Sequence, residues 1–173
     1  MKNAIDKIVF VENDGENDAY VRTWFAFEQG SIDADNYFDI IGINHDVDHW
    51  DWVTEGTGAD GKDELIVIPN VEITDKNGVT GKYLILVATY KGPSSRPNGI
   101  LAPGKVSYPS LLQVYMNPKA TNEDVKAIDA NGNGKFDILV KSQAVQTAGF
   151  SDAKTALDEA FGEATAENHP FNK

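Results

Sequence analysis

Six Asn-Gly or Asp-Gly dipeptides punctuate this chain: Asp14-Gly15, Asp60-Gly61, Asn77-Gly78, Asn98-Gly99, Asn131-Gly132 and Asn133-Gly134. These residues tolerate positive φ, which tight reversals of an extended chain require. Between them lie segments rich in β-branched and aromatic residues, at 8–11, 19–27, 37–44, 65–73, 79–90, 111–116 and 136–145. The first two read as strands joined through the short loop Asn13-Asp14-Gly15, and the whole set as about seven or eight strands. In the run from Tyr83 to Tyr90 both alternating sets are apolar, as expected of a strand covered on both faces. Many short strands without alternating helices predict an all-β fold, an antiparallel sandwich or barrel.

One helix stands out, over 151–161. Ser151 is a fitting N-cap, Ala153, Ala156, Leu157, Ala160 and Phe161 form one apolar stripe, and Gly162 is a natural stop. A second, short helical turn is expected from Thr121. Residues 1–162 therefore read as a single domain. The polar segment 163–173 reads as a flexible C-terminal tail.

Charge narrows the partners. There are 27 Asp and Glu against 15 Lys and Arg, a net charge of −12, and the sequence pI is about 4.5. Such a surface repels phosphate backbones and anionic membranes, which argues against nucleic-acid partners. No apolar run approaches the ~20 residues of a spanning helix, so no membrane span is expected. The chain has no cysteine, which argues against a small disulfide-framed module and leaves the compartment open. No basic segment followed by an apolar stretch marks a signal peptide in the first residues.

The sharpest local motif runs from Asp129 to Asp137. Asp129, Asn131, Asn133 and Asp137 present oxygens at the spacing of an EF-hand loop, with Gly134 at its sixth position. They form a candidate calcium site. Val140 stands where that loop needs a bidentate Glu, and the residues after Phe136 read as a strand, so a plain Asn/Gly hairpin loop is the competing reading. His45 and His49, with Asp46, Asp48 and Asp51, form a second acidic cluster that could ligate zinc or be a solvated loop. There is no Gly-x-Ser-x-Gly elbow, no phosphate-binding loop and no His-Glu-x-x-His. Trp24, Trp50 and Trp52 could stack on sugars, but aromatic residues in strands more often fill a core. Arg22, mid-strand among apolar neighbours, is expected to pair with a carboxylate across the sheet.

Four blocks taken together carry a family likeness: residues 11–22 (Val-Glu-Asn-Asp-Gly-Glu-Asn-Asp-Ala-Tyr-Val-Arg), Leu101-Ala-Pro-Gly104, Ser110-Leu-Leu-Gln-Val-Tyr115 and residues 137–150. With Ala156 to Gly162, this pattern resembles the TasA/camelysin family, exported by Gram-positive bacteria through a dedicated signal peptidase. The resemblance implies a jelly-roll-like β-sandwich and secretion to the extracellular space or cell surface. It also implies a structural role as a fibre-forming subunit of a biofilm matrix, self-associating through strand exchange, with other matrix proteins as further partners. Family members usually carry a signal peptide and one or more strands ahead of the first block, so the chain is expected to be a trimmed or processed form without that donor strand. The camelysin branch bears a metallo-endopeptidase label, but no residue here matches a zinc-protease motif and no catalytic residue is carried over. The alternative reading is a carbohydrate- or peptide-binding sandwich module, with calcium as a candidate stabilising ion and no cofactor required.

Overall fold

The computed structural model describes residues 4–52, 54–57, 63–65, 67–74 and 78–171. In chain order these form β1 (Ile5–Val9), β2 (Ala19–Glu28), α1 (Ala34–Ile40), β3 (Ile41–His45), β4 (Trp50–Trp52), β5 (Thr54–Thr57), β6 (Asp63–Leu65), β7 (Ile68–Thr74), β8 (Thr80–Tyr90), β9 (Leu111–Met116), α2 (Asn122–Ile128), β10 (Ile138–Gln146) and α3 (Ala153–Phe161). The smaller sheet has the order β1-β9-β3. The larger has the order β10-β2-β8-β4, with β7 also on β8, and β5 and β6 pair with each other. All pairings are antiparallel, so the fold is an antiparallel β-sandwich with three short helices among the described residues.

The inner faces of the two sheets share one core. From the larger sheet come Val21, Phe25, Phe27, Leu84, Leu86 and Ala88, and from the smaller Ile41, Leu111 and Val114. The outer face of the larger sheet is apolar too, for it is covered by the C-terminal part of the chain. Trp24, Ala26, Tyr83, Ile85 and Val87 pack with Phe171, while Tyr20 packs with Ala156 and Leu157 of α3. This outer layer explains why β2 and β8 lack a polar face. The segment read as a flexible tail lies against the sheet: His169 and Phe171 are buried, and Lys141 Nζ donates to the Pro170 carbonyl at 2.8 Å.

Several local expectations change. Residues 37–44, read as a strand, divide into the end of α1 and most of β3. Asp33 caps α1 by accepting from the Asp35 N–H, and Tyr37 and Ile40, three apart, turn to the same core. Asn13-Asp14-Gly15 does not close a hairpin, since β1 pairs with β9 and β2 with β8 and β10. The α3 cap is Asp152, not Ser151: its carboxylate accepts the Thr155 N–H at 2.9 Å. Thr121 caps α2 through a capping box with Asp124. Asp60-Gly61 and Asn77 lie outside the described residues, whereas Gly99, Gly132 and Gly134 have the positive φ expected of them. Gly30 is required on two counts. Its φ is 57°, and a Cβ there would lie 2.0 Å from the Ala127 carbonyl oxygen at the end of α2.

Candidate functional site

The first strand is the most unusual surface feature. β1 ends the smaller sheet, so among the described residues only one of its edges is paired. That pairing continues past the strand: Val9 accepts from the Ser110 N–H, Val11 accepts from the Ser107 N–H, and Glu12 bridges to Val106. Val9 and Val11 turn inward against the core. The alternate residues Ile8 and Phe10 turn out, at 60% and 54% exposed, and Ile5 is 63% exposed. The neighbouring segment adds exposed Val106 and Tyr108. An open strand edge bearing exposed apolar side chains is a template for pairing with another chain.

Tyr108 is held in place. The His49 imidazole stacks on its ring, with centroids 3.7 Å apart and planes at 9°, and Trp50 Nε1 donates to its carbonyl at 2.9 Å. Asp46 Oδ2 lies 2.7 Å from His49 Nδ1 and Asp46 Oδ1 accepts the Asp48 and His49 N–H groups. Burial raises the Asp46 pKa, but the bonds from the His49 side chain and from these backbone groups outweigh it, and the net shift is downward. His45 points elsewhere, edge-on to Trp52 with centroids 4.7 Å apart, and burial holds its pKa below the ordinary imidazole value. The two histidines thus serve two different aromatic contacts. Among the described residues, no three His, Asp or Glu side chains are gathered as a metal cluster.

The candidate calcium residues do converge, in a loop wound by its own side chains. Asp129 accepts the N–H groups of Asn133 and Gly134, at 3.0 and 2.8 Å. Asn131 and Asn133 both donate their side-chain amides to Asp137 Oδ2, at 2.9 and 2.7 Å. The amide oxygens of Asn131 and Asn133 accept from the N–H groups of Asn133 and Lys135. A cation entering here would have to displace these bonds. Glu28, at the end of β2, completes the loop: its two carboxylate oxygens accept the Asn131 and Asp137 N–H groups at 3.1 and 2.9 Å. Burial pushes the Glu28 pKa up, against those two bonds. Sequence reading missed Glu28, which lies about a hundred residues upstream of the motif it serves.

Arg22 is 3% exposed and meets its carboxylate from the helix, not from the sheet. Its Nη1 donates to Asp158 of α3 at 2.9 Å, and Nε and Nη2 donate to Gln143, its cross-strand neighbour on β10. Nη2 also donates to the Gly162 carbonyl. The three tryptophans are core residues, at 0%, 1% and 7% exposed for Trp24, Trp50 and Trp52, so they offer no stacking platform. No helix among the described residues is long and apolar enough to cross a membrane. No family model, no curated protein and no solved structure matches the chain.

Proposed function

We propose that this protein is an extracellular structural subunit that assembles by β-strand addition, an extended segment of a second copy pairing along the open edge of β1. The observation that carries this reading is that edge itself: unpaired on one side among the described residues, and flanked by Ile5, Ile8 and Phe10, each more than half exposed. Strand addition supplies main-chain hydrogen bonds to the open edge and takes alternate side chains into contact. It would also remove from water the apolar surface that β1 leaves exposed. The four-block resemblance to the TasA/camelysin family supports export and a place in a biofilm matrix or on the cell surface.

The test is assembly of the full chain, followed by sedimentation velocity and electron microscopy at rising concentration. The wild type is expected to form oligomers or fibres. Ile8→Lys, which places a charge on the outward side of the open edge, is expected to remain a folded monomer with an unchanged circular dichroism spectrum. A wild type that stays monomeric at every concentration, or an Ile8→Lys protein that assembles equally well, would overturn the proposal.

A further inference from the structure

α3 covers Tyr20 and Arg22, and beyond them, toward β4, the described residues leave a cleft of about 930 Å³ over the larger sheet. Its floor follows one cross-strand row. Gln143 of β10 stands opposite Arg22 of β2, Arg22 opposite Thr89 of β8, and Thr89 opposite Asp51 of β4. Arg22, Thr89 and Asp51 of this row line the cleft, and Pro97, Ile100 and Ala153 supply an apolar wall. The cleft thus pairs a polar floor with an apolar side, as small-molecule sites commonly do.

The cleft is lined by three cations and four carboxylates, and most of them are already engaged within the protein. Arg22 is paired with Asp158, Lys154 also bonds Asp158, and Lys91 lies 3.4 Å from Asp51. Asp152 is spent on capping α3 through Thr155. On a chain of net charge −12, this cleft concentrates three cations, Arg22, Lys91 and Lys154, among its carboxylates. A free anion would meet Asp51, Asp152, Asp158 and Glu163, and a free cation would meet Arg22 and the two lysines. The arrangement favours an uncharged ligand that exchanges hydrogen bonds with the Thr89 hydroxyl, the Asp51 carboxylate and the Asn98 amide while laying an apolar face on the wall. A pyranose ring has both properties, with hydroxyls at its rim and C–H groups on its faces.

We infer that this cleft is a binding site for a neutral oligosaccharide, with Thr89 and Asp51 as its hydrogen-bonding floor. The site lies on the larger sheet, away from β1, so binding does not depend on assembly and its failure would leave the strand-addition reading untouched. The experiment is isothermal titration of the full chain with neutral oligosaccharides of glucose, galactose, mannose and N-acetylglucosamine, beside uronic-acid oligomers and uncharged peptides. At least one neutral oligosaccharide is expected to bind, with the uronic-acid oligomers at least about tenfold weaker. Asp51→Ala and Thr89→Ala are each expected to weaken binding by about tenfold, the loss of one hydrogen bond. Val125→Ser, an exposed α2 position, is expected to leave it unchanged. Absence of binding by every neutral oligosaccharide at millimolar concentration, equal affinity in both floor variants, or preference for the peptides or the uronic-acid oligomers would overturn the inference.

Discussion

Arg22 shows how one side chain can tie together three parts of a sandwich. Its guanidinium reaches Gln143 on the adjacent strand, Asp158 on α3 and the carbonyl of Gly162 where the helix ends. It also lies 5.3 Å from the Trp24 ring centroid, and Trp24 Nε1 shares the same Gln143 oxygen. Burial lowers the Arg22 pKa, and the charge of Asp158 and its hydrogen bond act against that lowering. Breaking a buried ion pair by removing one partner costs about 3–5 kcal/mol, because the other charge is left without its compensation. Asp158 is 18% exposed and keeps a bond from Lys154, which places the Arg22→Met loss near the lower end, at about 3 kcal/mol. Chemical denaturation of the two proteins checks this. A shift below about 1 kcal/mol would mean that α3 is held by Leu157 and Ala156 packing alone. The mid-strand position of Arg22 was enough to predict a carboxylate partner; which carboxylate depended on a helix more than a hundred residues away.

At the scale of elements, the segments that announced themselves were those whose burial is decided locally. The β9 bounds match the apolar run 111–116, and Ala153, Ala156, Leu157 and Phe161 of the α3 stripe pack on the sheet, while Ala160 is exposed. The α1 segment was read as strand because Tyr37, Phe38, Ile40 and Ile41 are β-formers. The helix is decided instead by the Asp33 cap and by the pull of the core on Tyr37, whose hydroxyl donates to the Glu28 carbonyl at 2.8 Å. In the 129–137 loop the convergence of Asp129, Asn131, Asn133 and Asp137 was legible from spacing, whereas the role of Glu28 was not, since only the fold brings β2 to that loop. The pairing of β1 with β9 is a long-range contact invisible in local pattern. The segment after Gly162 is polar in composition, and the contacts that lay it on the sheet, His169, Phe171 and the Pro170 carbonyl, leave no periodic signal in the sequence. Phe171, 9% exposed, packs in the cluster with Trp24, Ile85 and Val87. Truncating a buried phenylalanine to alanine costs about 3–5 kcal/mol. Phe171→Ala is expected to lower the denaturation midpoint by an amount equivalent to about 3 kcal/mol and to open residues 163–171 to protease. An unchanged midpoint would mean that Phe171 does not hold this segment on the sheet.

For the whole molecule, net charge and edge chemistry oppose one another. Bringing copies together at β1 hides Ile5, Ile8 and Phe10 but also brings together chains of charge −12. At about 10 mM salt the screening length is ~30 Å, comparable with a small domain, whereas at 1 M it is ~3 Å. Assembly through an apolar edge is therefore expected to strengthen as salt rises, because the repulsion is screened while the apolar contact is not. Acid offers a second way to reduce the charge, toward the pI of about 4.5, but it carries a penalty in stability. The Asp46 pKa is depressed, so its contribution is present above the ordinary carboxylate value and is lost as pH falls through its folded value. His45 is held below the ordinary imidazole value, so the unfolded chain takes up that proton first and stability falls as pH drops below about 6.5. Salt is consequently the cleaner variable. Sedimentation velocity at neutral pH, stepped from about 10 mM to about 1 M sodium chloride, should show a rising fraction of assembled protein. Ile8→Lys should stay monomeric throughout. If assembly instead dissolves as salt rises, the contact between copies is made by opposite charges, and the apolar edge of β1 is not what joins them.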